Sequence, residues 1–126
     1  MQSSTQPNEL TQGSLAWAAY PLTDKVDKLK RRPVLIISNA SSNELDSDYI
    51  VIPITKTIRG EAFSLVIEPN DVEGDLPVFS ELRCNKPFTI RGLLVYERIG
   101  QLSKSKLSEA IRFVNDSICL QESEKA

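Results

Sequence analysis

Apolar positions along the chain come in short, dense runs separated by polar punctuation. Residues 1–12 carry Ser, Thr, Gln, Pro and Asn and offer almost nothing to bury, which predicts a disordered leader. The first apolar segment is 14–20 (SLAWAAY). Segments 33–39 (PVLIISN) and 49–55 (YIVIPIT) are short, rich in Val and Ile, and bounded by polar turn residues. Segments 63–68 (FSLVIE) and 78–84 (VFSELRC) follow with partial alternation. Length, β-branched content and spacing predict five strands. Their connections are too short for crossover helices, so the sheet is expected to be antiparallel and closed or strongly curved. Pro53 has no amide donor for a ladder, which predicts an edge or a bulge in the third strand.

The period changes in the last third. From Ser103 onward, Leu107, Ala110, Ile111, Val114 and Ile118 recur at helical spacing. Ser103 or Ser105 supplies a side-chain acceptor to cap the first turn. The closing residues QESEKA contain no apolar anchor and are expected to fray. No internal repeat is visible. The pattern predicts a mainly β fold, a small barrel closed by one C-terminal α-helix. The domain plan is a leader at 1–12, one barrel domain at 13–120 and a tail at 121–126.

Composition removes more chemistry than it adds. The 126 residues include 40% hydrophobic and 25% charged positions, enough for a core on one domain. A formal charge of −2 excludes a globally basic nucleic-acid coat, so any such site needs locally segregated charge. Histidine is absent, which excludes Ser-His-Asp and Cys-His nucleophile systems and every imidazole-ligated metal site. Cys84 and Cys119 lie too far apart for a zinc knuckle and are expected to be free thiols. No glycine loop of the phosphate-cradling kind occurs. The N-terminus lacks the basic and apolar regions of a signal peptide, and no apolar run spans a bilayer, so a cytoplasmic location without membrane partners is expected. Proton transfer, if any, falls to Asp, Glu, Lys, Arg or Tyr.

Charge is concentrated in two places. Residues 24–32 (DKVDKLKRR), expected as the loop between the first two strands, hold five bases and two acids. Residues 61–81 hold six acids and no base. The basic segment is either a solvated loop or a phosphate-binding patch, which Lys56, Arg59, Arg83, Lys86 and Arg91 would extend if the strand ends converge on it.

At KRRPVLIIS, with Arg32 directly before Pro33, the sequence resembles the PemK/MazF family of bacterial toxins, the ribonuclease halves of toxin–antitoxin pairs. GSLAWAAYPLTD resembles that family's first strand and following loop, and IVIPITKTI the strand carrying its threonine. SELRCNKPFTI resembles its Arg-Cys-Asp strand and RIGQLSKSKLSEAI its closing helix. These motifs keep the family's order over residues 13–118. The resemblance implies the SH3-like barrel shared by the CcdB and Kid toxins, assembled as a homodimer. It also implies cleavage of single-stranded RNA, mRNA included, without metal or cofactor, through attack of the 2′-hydroxyl and a 2′,3′-cyclic phosphate product. The expected protein partner is a cognate antitoxin whose C-terminal segment covers the RNA site.

Such a reaction needs a base for the 2′-hydroxyl, an acid for the departing 5′-oxygen and donors for the charged phosphorane. By resemblance, Arg32 binds phosphate through its fork, Thr55 donates a hydroxyl, Arg83 is a second stabiliser or proton donor, and Asp27 is the base. Lys28, Lys30, Arg31, Lys56, Arg59, Asn85 and Lys86 are the expected RNA-binding residues. Two positions depart from the family pattern. Asn85 stands where many relatives have aspartate, and an amide cannot take a proton at neutral pH. Val26 occupies the place where some members have histidine. Glu81 is a candidate replacement base. A catalytically weakened RNA- or antitoxin-binding relative therefore stays open, as does a gyrase poison on the same fold acting through its C-terminal helix surface. The RRP and PIT motifs favour the ribonuclease.

Overall fold

Two long arms start the fold in a computed structural model that describes residues 9–22 and 25–121, with backbone alone for 21–22 and 25–29. β1 (Ser14–Leu22) and β2 (Lys25–Ile36) pair antiparallel, with Leu15 opposite Leu35, Ala16 opposite Val34 and Ala18 opposite Arg32. Successive side chains on a strand point to opposite faces, and here both faces are covered. Leu15 and Leu35 join Ile52, Ile54, Leu82 and Leu102 in one cluster, while Ala16, Ala18, Val34 and Ile36 join Val51, Ile90 and Val95 in another. That double burial is why AWAA and PVLII read as continuous apolar runs.

The other strands are β3 (Asp48–Thr55), β4 (Ser64–Ile67), β5 (Val72–Gly74), β6 (Ser80–Arg83), β7 (Phe88–Arg91) and β8 (Val95–Leu102). Every pairing is antiparallel, in the order β4-β6-β3-β2-β1-β8-β5, with β7 also on β3. The result is the expected mainly β fold, a curled half-barrel sheet, with α2 (Lys104–Ile118) as its C-terminal helix. Ser103 caps α2, its hydroxyl accepting from Lys106 N–H at 3.3 Å. Ala110 and Val114 are buried, with Leu107 and Phe113 packed beside them. Ile118, expected on that face, is instead 69% exposed.

Several expectations change. Residues 25–32 are not a loop but the outer half of β2. Backbone pairing is indifferent to side-chain charge, so Ala18, Ala19 and Tyr20 ladder with Arg32, Arg31 and Lys30. Pro53 does not mark an edge, because β3 is flanked by β2 on one side and by β7 and then β6 on the other. Ile37 N–H donates to Ile50 O across to β2 at 2.9 Å, so the odd-numbered residues of β3 turn their backbone groups the other way. Pro53 therefore faces the interval between the β7 pairing, which ends at Val51, and the β6 pairing, which begins at Ile54. No ladder bond is lost there.

Three strands and a helix went unforeseen. α1 (Ala40–Asp46) buries no residue and is held by Asn39, whose side chain accepts from Ser42 N–H at 3.1 Å. β5 and β7 are short, and the apolar pattern of β8 is interrupted by Glu97 and Arg98. β5 lies against β8 where Gly74 faces Gly100, and a Cβ on Gly74 (φ +148) would meet Gly100 Cα at 2.5 Å. Within the expected leader, Leu10 packs on the second cluster and Gln12 Nε2 donates to Ile37 O at 2.9 Å. Residues 1–8 and 122–126 lie outside the described residues.

Candidate active site

Strand register decides which of the expected residues meet. Val34 on β2 lies opposite Pro53 on β3. Two residues further along each strand, on the same face, stand Arg32 and Thr55. Thr55 is opposite Glu81 on β6, and Arg83 follows Glu81 on that face. Arg32, Thr55, Glu81 and Arg83 thus share one face at one end of the sheet. Tyr20 and Phe88 border it, their ring centroids 5.0 Å apart and tilted by 57°. Tyr20 belongs there because it alternates with Ala16 and Ala18 on β1.

The chemistry of this face is set by buried polar groups. Glu81 is fully buried, and its Oε2 accepts from Arg59 N–H at 3.0 Å and Gly60 N–H at 2.9 Å. Its Oε1 lies 3.1 Å from Arg83 Nε. The two atoms are out of line for a hydrogen bond, so that contact is coulombic. Fully buried, with Oε2 holding two amides and Oε1 against the Arg83 guanidinium, Glu81 is enclosed away from solvent and is not placed to serve as the base considered for it. Arg32 is half-buried, and its Nε has no hydrogen-bond partner among the described residues. Burial pushes the Tyr20 phenol up from its ordinary value, opposed by the neighbouring Arg32 guanidinium. Tyr20 is a neutral donor at neutral pH. Thr55 Oγ1 accepts from Thr57 N–H at 3.1 Å, which starts the turn after β3 and leaves the hydroxyl hydrogen available.

The remaining expected residues divide. Lys30 is exposed opposite Tyr20, on the face of Arg32. Lys56 and Arg59 are exposed on the loop that Glu81 holds. Lys56 and Thr55 also line a groove of about 360 Å³ with Trp17, Pro33, Leu76, Val78 and Ile99. Asn85 and Lys86 are exposed on the turn after β6, where Lys86 N–H donates to Arg83 O at 3.2 Å. Arg31 projects from the opposite face, 4.3 Å over the Trp17 ring and 3.0 Å from Glu97 Oε1. Arg91 sits opposite Asp48, at the far end of β3 from Thr55. The side chains of Asp27, Lys28 and Val26 lie outside the described residues. Tyr20 and Phe88 were missed from sequence. The alternation Ala16, Ala18, Tyr20 carried the signal for Tyr20, but only once 25–32 is read as a pairing strand.

Known proteins share this fold. In fold, the chain is similar to the toxin MazF-mt6 of Mycobacterium tuberculosis, with a TM-score of 0.64, 26% identity, and coverage of 85% of this chain and 99% of that one. It is also similar to a MazE–MazF complex from Deinococcus radiodurans, with a TM-score of 0.72, 16% identity and coverage of 89% and 97%. An endoribonuclease in complex with its cognate antitoxin from a mycobacterial species gives a TM-score of 0.71, 16% identity and coverage of 91% and 100%. At that identity the last two likenesses concern the fold alone. No curated protein matches the sequence. The family model of the PemK-like, MazF-like toxin matches residues 11–118, nearly the whole described chain, and the protein therefore belongs to the PemK-like, MazF-like toxins of type II toxin–antitoxin systems.

Proposed function

We propose that this toxin is a metal-independent endoribonuclease that cuts single-stranded RNA, mRNA included, by attack of a 2′-hydroxyl on the adjacent phosphate. The observation that carries the reading is the shared face of Arg32, Thr55 and Arg83, which places two guanidinium groups and one free hydroxyl hydrogen on neighbouring strands at one end of the sheet. Charge grows on the non-bridging phosphate oxygens as the phosphorane forms, and preorganised donors stabilise that charge more than they stabilise the ground state. Arg32, whose buried Nε has no hydrogen-bond partner among the described residues, has donor capacity to offer. Thr55 donates its hydroxyl to a phosphate oxygen, and Arg83 donates from its terminal nitrogens. Asp27 is the proposed proton acceptor for the 2′-hydroxyl, since Asn85 is an amide and Glu81 is enclosed. Lys28, Lys30, Lys56, Arg59, Asn85 and Lys86 would guide the strand.

The proposed working unit is a homodimer, inhibited by a cognate antitoxin lying over the RNA site. Two of the structurally similar toxins support an antitoxin partner: one is a MazE–MazF complex and one an endoribonuclease in complex with its cognate antitoxin. The test is incubation of the purified protein with a long unstructured RNA in excess EDTA. Cleavage with a cyclic phosphate on the 3′ side of each cut is the expected result. Activity that appears only on adding a divalent metal would overturn the mechanism.

A further inference from the structure

We infer that Glu81 is a positioning residue for this site, one carboxylate that fixes the Arg83 guanidinium and the loop after β3 in a set relation. The inference rests on the ribonuclease reading above and assigns Glu81 a role other than proton transfer. A fully buried carboxylate is costly unless its oxygens are satisfied, and here each oxygen has a separate duty. Oε2 gathers two successive amides, those of Arg59 and Gly60, at 3.0 and 2.9 Å. Gly60 lies in the left-handed region at φ +65, which allows adjacent N–H groups to converge on one acceptor. Oε1 faces Arg83 Nε at 3.1 Å. Arg83 has no other polar side-chain contact among the described residues, so Glu81 is the charged group that holds its guanidinium.

The consequence is geometric. With Nε held 3.1 Å from Glu81 Oε1, the two terminal nitrogens of the fork are left for phosphate oxygens. The same side chain anchors the loop bearing Lys56 and Arg59, and Thr55 lies opposite Glu81 in the ladder. Stabiliser, hydroxyl donor and strand-guiding loop are therefore referred to one buried group. Small displacements of such groups reduce rate without abolishing substrate binding.

Glu81→Gln separates the two duties. Its single amide oxygen can still accept from Arg59 and Gly60, while a neutral NH₂ takes the place of the charged Oε1 beside the Arg83 guanidinium and removes the coulombic hold on it. Measured on a defined RNA under single turnover, Glu81→Gln should lower the cleavage rate by about 10–10² while RNA affinity and thermal midpoint stay near wild type. In an Arg83→Ala background, adding Glu81→Gln should change the residual rate little, because the group being positioned is gone. An equal fractional loss in both backgrounds would mean that Glu81 acts on the fold generally, and the proposal fails. So does a Glu81→Gln protein as fast as wild type. Should Glu81→Gln not fold, ¹⁵N relaxation of the Arg83 Nε–H in wild type decides: restricted motion is expected, and free rotation overturns the assignment. Wild-type protein that leaves RNA intact removes the ribonuclease reading itself and this role with it, an outcome distinct from failure of the variants alone.

Discussion

Arg31 and Arg32 are adjacent in sequence and opposite in surroundings. Arg31 lies over Trp17 in solvent and pairs with Glu97, with both side chains more than half exposed at 54% and 60%. Arg32 is half-buried on the other face, beside Tyr20, with an Nε that nothing in the described chain satisfies. β6 repeats the division: Leu82 and Cys84 enter the apolar cluster under α2, while Glu81 and Arg83 lie on the alternate face with Thr55 opposite Glu81. Leu82 and Cys84 are finished as protein interior, and Arg31 is paired in solvent. The face of Arg32 is apolar along Ala16, Ala18, Val34 and Ile36 and ends in charge at the edge of burial. There Arg32 Nε and Arg83 Nε have no hydrogen-bond partner among the described residues. Unmet donor capacity held rigidly is poorly suited to stability and well suited to a developing anion.

The sharpest way to break this comparison is to truncate each arginine in turn. Arg32→Ala should leave folding nearly intact and cut RNA cleavage by about 10²–10³, the usual loss for a donor to a developing oxyanion, or roughly 3–4 kcal/mol. Arg32→Lys should restore little, since a point charge does not reproduce a bidentate fork. Arg31→Ala should lower the cleavage step far less, because its guanidinium is engaged on the other face. Single-turnover rates on one RNA check all three. Equal rates for the two alanine variants would remove Arg32 from the site.

Much of this arrangement was legible in the sequence, and the illegible part has definite causes. The runs at 14–20, 33–39 and 49–55 announced strands because residues buried on both faces leave an unbroken apolar signal. Ser103 and the 3.6-residue spacing after it announced α2. The outer half of β2 was hidden because five bases dominate residues 24–32, and side-chain charge says nothing of whether the backbone is paired. That single misreading also concealed why Arg31 and Arg32 part company: in a loop they are equivalent, and on a strand they cannot be. Pro53 was misjudged because the switch of partners from β7 to β6 is a tertiary event with no local signature. Glu81 looked like a spare acid, since nothing in SELRC tells that two amides of a distant loop converge on it.

The interior side of β6 gives a pH test of the same division. Burial, with a smaller contribution from Glu109, pushes the Cys84 thiol up to about 12 from its ordinary value of 9.0. Between those values the unfolded chain binds fewer protons at this position than the folded one, so stability should fall as pH rises across that window. Below pH 9 the thiol should contribute no pH dependence. In the folded protein a thiol reagent should label exposed Cys119 and spare Cys84. Comparing alkaline unfolding of wild type and Cys84→Ala isolates the contribution. A Cys84 that alkylates as fast as Cys119 under native conditions would show that this side of β6 is not closed.

The smallest expected effect belongs to the Arg31–Glu97 pair, and its smallness is informative. At 3.0 Å the contact is close, but both partners are largely in water, where the Coulomb gain is screened and two long side chains must be ordered to realise it. A double-mutant cycle with Arg31→Ala and Glu97→Gln should give a coupling of about 0.2–1 kcal/mol, shrinking as salt is raised. The position of Arg31 over Trp17 adds a stacking contribution that Glu97→Gln leaves in place, so Arg31→Ala should cost more stability than Glu97→Gln. Neither change should slow the chemical step as Arg32→Ala does. A salt-insensitive coupling well above that range would mean that the pair is desolvated by something seated on this face, and the two faces would then differ in what covers them rather than in whether their polar groups are satisfied.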